Sequence, residues 1–403
     1  MSDVTPTRAA GDPGIVIVGA GLGGIRVAER ARQSGYTGPI TLIGAEDYRP
    51  YDRPPLSKEV LRGAERVELK DNDFYETADL TLRTGTRVVS VDSAAHTVTV
   101  DSGETIGYRS LVLATGLTPR PLPGAEDLAG VHTLRTFDDC VALRADAADA
   151  QAVAVVGAGF IGCEVAASLH QSGVPSVTII EPQEAPMMQA LGVRVGNLAR
   201  RLFAEAGVDL RTGVGVSGVD SSGGAVTALR LDDGTVLPAD LVVVGIGSVP
   251  VTDYLDGSGI DLAPKDLGGG IACDDRGNTS APDVFAVGDV ANWGALDGRR
   301  GRVEHWTATT EQAALVGGEL VAPSAEAIAL PYFWSDQFDL KIQMLGHPLA
   351  TDDVHVISDD GRKFVAYYSR DGVLTGVVGA GKAGAVMKMR AKLQAGTPIA
   401  ELL

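Results

Sequence analysis

Apolar and polar positions along this chain repeat with two different periods, and the changes between them mark its organisation. Ile15-Val-Ile-Val18 is a continuous β-branched run. Such a run, bounded by glycine, predicts a strand buried on both faces of a parallel sheet. It ends at Gly19-Ala-Gly21-Leu22-Gly23-Gly24. Apolar residues then recur at helical spacing, which predicts a helix over about 23–34 that stops at Gly35. A second strand, Ile40-Thr-Leu-Ile43, leads to Glu46. The same order returns once. Val153-Ala-Val-Val156 enters Gly157-Ala-Gly159-Phe160-Ile161-Gly162, a helix begins near Gly162, and Val177-Thr-Ile-Ile180 leads to Glu181. Each copy is strand, Gly-X-Gly-X-X-Gly turn, helix and strand, with a carboxylate about twenty residues past the last glycine. The glycines let the backbone come close to a pyrophosphate, the helix N-terminus offers unpaired N–H groups, and the carboxylate can accept ribose hydroxyls. Two such copies predict two dinucleotide sites.

The segments around these copies have their own textures. Tyr48-Arg-Pro-Tyr-Asp-Arg53-Pro-Pro-Leu-Ser-Lys58 carries three prolines. They exclude a regular helix or a central strand and predict a rigid, extended loop that brings Arg53 and Lys58 within reach of a cofactor. From about 80 to 112 short alternating strands are predicted. Leu111-Val-Leu-Ala114-Thr115-Gly116 reads as a buried strand, and the prolines from Pro119 to Pro123 read as a linker, with Arg135 beyond it. Past the second copy, a helix over about 193–206 and strands near 208–210, 225–231 and 241–247 are expected. The run Leu241-Val-Val-Val-Gly-Ile-Gly247 mirrors the Ala-Thr-Gly strand, as a duplicated architecture requires. Val284-Phe-Ala-Val-Gly288-Asp289 aims a carboxylate out of the carboxyl end of a strand, where ligands collect in open parallel sheets. Arg302-Val-Glu304-His305-Trp306 precedes a helix over about 307–320, with Thr307 as its expected cap. From Pro331 the pattern becomes alternating strands with a last helix over about 382–394, a smaller α+β domain.

Charge and cysteine usage narrow the function classes. The 403 residues carry a formal net charge of −18. That argues against nucleic acid or an anionic membrane surface as the main partner. Cys140, Cys163 and Cys273 are far apart, with no Cys-X-X-Cys. A disulfide framework, a zinc site and a redox dithiol are poorly supported, and the thiols fit a reducing cytoplasm. The polar first thirteen residues have no apolar core of signal-peptide type, and no run approaches the roughly twenty apolar residues that span a bilayer. Two dinucleotides in one chain suggest a flavin and a nicotinamide, between which a hydride passes directly. The first unit, with the proline loop and the Gly-Asp strand, is expected to hold FAD and the second NADH.

Together these motifs carry a resemblance to a known family. The chain resembles the FAD-dependent ferredoxin reductases of the putidaredoxin reductase and biphenyl dioxygenase reductase type, over almost its whole length. The carrying residues are the two glycine motifs, the second extended to Glu164, with the proline loop from Pro50 to Lys58, Ala114-Thr-Gly116, Ala286-Val-Gly-Asp289, Glu304-His-Trp306 and Pro331-Tyr-Phe-Trp334-Ser-Asp-Gln337. The resemblance implies two Rossmann-like domains in the glutathione-reductase-like arrangement plus the C-terminal α+β domain. The expected boundaries are 1–122 and 248–328 for FAD, 123–247 for NAD, and 329–403 for the last domain. It also implies that Lys58 and Glu164 pair beside the reactive N5 of the flavin. Asp289 would hydrogen-bond the ribitol, Arg135 and the backbone near Val88 would touch FAD, and Trp306 would lie at the pyrimidine end. The helix after Trp306 would point its N-terminus at the flavin, where a positive dipole end stabilises the reduced ring by about 0.3–2 kcal/mol. Trp334 would lie near the face where a 2Fe–2S ferredoxin docks, and the protein would be a monomer or weak homodimer.

This chain departs from the pattern at four positions. Ala45 stands where relatives have Asp, so the ribose role passes to Glu46, and Val251, Gln189 and Ala308 replace an Asn, an Arg and an Asn. Three readings stay open beside a ferredoxin reductase: a rubredoxin reductase, a Rieske protein reductase and a non-enzymatic FAD-binding signalling protein. A disulfide reductase needs a cysteine pair after the first glycine motif, and no cysteine precedes Cys140. Because ferredoxins are acidic, a basic docking patch is expected among Arg299, Arg300, Arg302, Lys382, Lys388, Arg390 and Lys392. At the nucleotide end, Glu181 is followed by Pro182, Gln183 and Glu184, none of them basic, which predicts NADH over NADPH.

Overall fold

In the computed structural model, which describes residues 12–294, 301–322 and 330–403, each apolar β-branched run becomes the strand on which its sheet turns. The chain divides into two compact units. The first is built from 1–52, 67–118 and 249–329, and the second from 53–66, 119–248 and 330–403.

In the first unit, five parallel strands lie in the order Val284–Ala286, Ser110–Leu113, Ile15–Val18, Ile40–Ile43 and Leu80–Arg83. Ile15, Val16 and Ile17 have no exposed surface, which is why the run carries no polar residue. The chain leaves the central strand toward Ile40–Ile43 and returns on its other side as Ser110–Leu113. The carboxyl ends of these strands are therefore a switch point, where open sheets form a ligand crevice. The helix after the central strand runs Leu22–Gln33 and packs on a helix at Trp306–Glu319. The two approach closely at Gly317, where a Cβ would lie 2.7 Å from Cβ of Arg30. An antiparallel sheet of Val88–Asp92, Thr97–Val100 and Thr105–Gly107 also belongs to this unit.

The second unit repeats the plan. Its parallel strands lie in the order Asp209–Thr212, Ser176–Glu181, Ala152–Val156, Leu241–Val244 and Val131–His132. The helix Phe160–Gln171 follows the second glycine turn, and the antiparallel strands Val216–Ser222, Ala225–Leu231 and Val236–Pro238 form a second sheet. The C-terminal stretch folds as five antiparallel strands in the order Tyr332–Gln337, Leu340–Gly346, Val373–Ala380, Phe364–Arg370 and Asp353–Asp359.

Several local expectations are corrected. The proline loop is not wholly extended: Pro54–Ser57 makes a 3₁₀ turn, whose short hydrogen-bond pattern accepts proline at its first positions. The expected 193–206 helix runs Met188–Ala206, broken by Gly192 at φ 68°, ψ 169°. The last helix is two short ones, Ala383–Met387 and Arg390–Gln394. His305, not Thr307, caps the Trp306–Glu319 helix, with no side-chain cap hydrogen bond. A further helix, Phe137–Ala147, has no clear apolar stripe to announce it, and a capping box between Thr136 and Asp139 starts it.

Candidate functional site

The two glycine turns share one geometry. Gly19 (φ 111°) and Gly157 (φ 102°) hold conformations that L side chains avoid. A Cβ on them would lie 2.2 Å from the carbonyl oxygen of Ala114 and 2.3 Å from that of Gly245. The last glycines, Gly24 and Gly162, face the first: a Cβ on either would lie 2.1 Å from the carbonyl oxygen of Gly19 or Gly157. The middle glycines differ. A Cβ on Gly21 or Gly159 would meet no atom within 4 Å, so each faces open space. Both sit at a helix N-cap in extended conformation, and neither helix has a side-chain cap hydrogen bond. Open space beside uncapped N–H groups is the cradle that a pyrophosphate fills, so the residues present fit two dinucleotides.

In the first unit, Leu22, Gly23 and Gly24 form the first turn of the Leu22–Gln33 helix. Glu46 lies past Ile43 and accepts a hydrogen bond from the hydroxyl of Tyr51. Val88 is buried at the start of its strand. Ala114-Thr115-Gly116 follows the neighbouring strand, and Thr115 Oγ1 lies 2.9 Å from the carbonyl of Val251. Gly288 donates its N–H to Gln312 Oε1 at 2.8 Å, fixing the turn that carries Asp289. Arg302 Nη1 donates to the Asp289 carbonyl and to Glu304 Oε1, both at 2.8 Å, and its Nε donates to the Gly268 carbonyl. Its side chain is 8% exposed, so Arg302 is a clamp on the Asp289 and Glu304 segments and not a docking charge. Arg299 and Arg300 lie outside the described residues. Trp306 Nε1 donates to Asp52 Oδ1 at 2.9 Å, just past His305.

In the second unit, Arg53 Nη1 donates to the carbonyl of Arg135 at 2.7 Å, so two residues expected near FAD stand together. Lys58 and Glu164 form a buried ion pair at 2.8 Å, with 12% and 6% of their side chains exposed. The pair also holds two serines that sequence reasoning missed. Ser57 Oγ and Ser335 Oγ each lie 2.6 Å from the carboxylate, and the Asp336 N–H reaches it at 3.2 Å. The available signal was Ser335 and Gln337 alternating with Trp334 and Asp336, which puts polar residues on both faces of one strand. A cavity of about 320 Å³ opens on the pair, bordered by Lys58, Arg62, Glu164, Asp336 and Lys341. Phe160 packs its ring 4.5 Å from that of Phe333, whereas Ile161 beside it is exposed. Glu181 accepts from the Ala158 N–H at 2.7 Å and the Gln183 N–H at 2.9 Å. Arg200 binds the Glu184 carbonyl and Thr212 Oγ1, and Arg194 turns away to the Val354 carbonyl. Gly247 adopts φ 92° past the Leu241–Val244 strand. Trp334 stacks on Tyr332, with the Lys341 ammonium 5.8 Å from its ring centre.

Residues 13–313 match the family of pyridine nucleotide-disulphide oxidoreductases. The chain belongs to that family. Residues 332–402 also match the reductase C-terminal family. Among family members, the chain is 39% identical over 341 residues to the anthranilate 1,2-dioxygenase system ferredoxin–NAD(+) reductase component of Burkholderia cepacia, covering 83% of this chain and 82% of that protein. The ferredoxin reductase for the CYP199A2 system from Rhodopseudomonas palustris superposes with a TM-score of 0.90 at 33% identity, covering 96% of each chain. The covalent putidaredoxin reductase–putidaredoxin complex gives 0.89 at 32% identity, covering 96% of this chain and 94% of that one. The resemblance carried by the proline loop and the Phe-Trp-Ser-Asp-Gln stretch is thus borne out, as is the doubly dinucleotide-binding fold. All three cysteines are free and buried. Burial pushes the Cys140 thiol up to about 11 and raises those of Cys163 and Cys273 as well.

Proposed function

We propose that this chain is an FAD-dependent NADH:ferredoxin reductase that serves a monooxygenase or ring-hydroxylating oxygenase. The observation that carries the reading is a buried Lys58–Glu164 pair on the proline loop and the second nucleotide helix, in a chain with two dinucleotide turns and no reactive thiol pair. When bound, FAD and NADH supply hydride transfer from nicotinamide to flavin and release of the electrons one at a time, which a one-electron iron–sulfur partner requires.

The protein's own residues position and polarise. Gly19, Gly21 and Gly24 let the first turn reach the FAD pyrophosphate, and Gly157, Gly159 and Gly162 do the same for NADH. Glu46 and Glu181 take the adenosine ribose hydroxyls. Asp289, held by the Gly288 turn and the Arg302 clamp, serves the ribitol. Lys58 would supply a cation to the flavin, and Glu164 holds that ammonium in place. No side chain acts as a strong acid or base, because pre-set electrostatics and orientation suffice. On the partner side we assign a small 2Fe–2S ferredoxin, with Trp334 near its docking face and exposed Lys388 and Lys392 among its basic contacts. No described helix is long and apolar enough to cross a membrane. A cytoplasmic monomer or weak homodimer is part of the same reading, with domain boundaries at 122/123, 247/248 and 328/329.

Anaerobic NADH addition to the holoenzyme, followed by reconstitution with candidate 2Fe–2S ferredoxins and cytochrome reduction, tests the function. Rapid flavin bleaching and ferredoxin-dependent turnover are expected. Unbleached flavin would return the chain to the FAD-binding signalling class.

A further inference from the structure

Glu164 is 5% exposed, yet its carboxylate meets four donors: Lys58 Nζ, Ser57 Oγ, Ser335 Oγ and the Asp336 N–H. Two of them come from one strand, Tyr332–Gln337. Its side chains alternate between two faces. Ser335 and Gln337 share the inward face and have no exposed surface. Gln337 Nε2 donates to Ser335 Oγ at 2.9 Å. A serine hydroxyl has one proton to give. With an N–H already on its oxygen, that proton is left for Glu164 Oε1, 2.6 Å away. The hydrogen bonds therefore link Gln337 to Ser335 and Ser335 to Glu164, and Glu164 accepts from Lys58 on its other oxygen. The Lys58 ammonium also faces the Pro54 carbonyl at 3.0 Å and Ser57 Oγ at 3.4 Å, so its three protons all have acceptors. Gln337 Oε1 is buried with no partner among the described residues. Burying an amide oxygen without a partner is costly.

We propose that Ser335 and Gln337 are positioning residues for the Lys58–Glu164 pair, setting the direction of the Glu164 carboxylate and through it the place of the Lys58 ammonium. The inference rests on the reading that Lys58 serves the flavin. Neither residue touches the reacting atoms. They act as outer partners act at a metal site, where loss of one hydrogen bond to a site residue costs about tenfold or more.

The test uses the FAD-loaded full chain and stopped-flow reduction by NADH without oxygen. Ser335→Ala should lower the limiting rate of flavin reduction about tenfold while leaving the half-saturating NADH concentration and the FAD content at wild-type values. It should also shift the midpoint potential of the bound flavin to more negative values, because a less fixed ammonium stabilises the reduced ring less. Ser335→Thr, which keeps the hydroxyl, should restore both. Gln337→Leu should give a smaller loss of the same kind. The double variant Ser335→Ala/Gln337→Leu should be no worse than Ser335→Ala, since both act through one hydrogen bond. A wild-type rate and potential in Ser335→Ala, with Glu164→Gln slow, would overturn the positioning role. Additive losses in the double variant would overturn it too. A wild-type rate in Glu164→Gln itself would instead remove the underlying role of the pair. Should Ser335→Ala fail to fold, Gln337→Leu carries the same test, and an unchanged rate and potential there would count against the positioning role.

Discussion

The middle glycine of the second turn offers a substitution whose structural and functional effects separate. Gly159 has φ −70° and ψ 178°, which any residue adopts, and a methyl added there would meet no protein atom within 4 Å. Gly159→Ala should therefore leave folding almost untouched. Alanine is a poorer N-cap than glycine by roughly 0.5–1 kcal/mol. The loss of unfolded-chain freedom returns about 0.4–1 kcal/mol. The two offset to within about 0.5 kcal/mol, so the unfolding midpoint should barely move. Binding is another matter. The methyl projects into the space assigned to the NADH pyrophosphate and holds it off the helix N–H groups. Losing one hydrogen bond to a charged acceptor, worth about 1.5–3 kcal/mol, weakens binding about tenfold to a hundredfold. Gly162→Ala is the contrasting case. Its Cβ would lie 2.1 Å from the Gly157 carbonyl oxygen, a backbone clash that should cost about 3 kcal/mol or more. The assay is a melting curve for each variant, with FAD content and the NADH concentration dependence of anaerobic bleaching. Unaltered NADH dependence in Gly159→Ala would refute the assignment of that space to the pyrophosphate. A large drop in its melting point would refute the openness of the site.

Lys58→Met should retain FAD but slow its reduction by NADH, and it leaves Glu164 buried without its cation, an expected loss of about 3–5 kcal/mol in stability by chemical denaturation. NADH should exceed NADPH in kcat/KM by about a hundredfold, with Glu181→Ala eroding the gap mainly through weaker NADH use; equal efficiency in the wild type would contradict the ribose role. The apparent KM for ferredoxin should rise with salt, since exposed charges are screened over about 8–10 Å, and a flat dependence would point to an apolar docking face. Asp352 is pulled upward by burial, but hydrogen bonds from Arg370, Thr375 and the Leu349 N–H more than offset that and hold its carboxyl below the ordinary 3.8. Its folded-state value is depressed, so the stability it contributes is present above 3.8 and disappears as pH falls through the folded value. Asp352→Asn should therefore unfold more easily than wild type at neutral pH and match it in strong acid, as followed by denaturant titration at several pH values.

The parts of this protein legible from its residues are those where backbone geometry dictates residue type. Gly19, Gly24, Gly157 and Gly162 must be glycine because a Cβ would strike a carbonyl, so both dinucleotide turns could be read directly. The strands beside them carry uninterrupted apolar runs because both faces are buried. What stayed hidden depends on contacts distant in sequence. Ser335 and Glu164 are 171 residues apart, and nothing local tells a serine that holds a carboxylate from one that faces water. Arg302 looked like one of a run of surface cations, yet it turns inward because carbonyls at Gly268 and Asp289 await it. The single expected helix over 382–394 is interrupted at Lys388 and Met389, and its apolar spacing alone did not show that break.

The first sheet closes late. Ser110–Leu113, buried along its whole length, pairs on one side with Ile15–Val18 and on the other with Val284–Ala286. On a ribosome working at about 5–20 residues per second, the intervening stretch of about 170 residues takes on the order of ten to thirty seconds to emerge. For that interval the strand presents an open row of N–H and C=O groups beside an apolar face, the kind of edge that recruits other chains. The remaining half of the duplicated plan, including the whole of Ala152–Val244, is synthesised while that edge waits. A nascent chain of this design therefore carries an open sheet edge until Val284–Ala286 emerges to cover it.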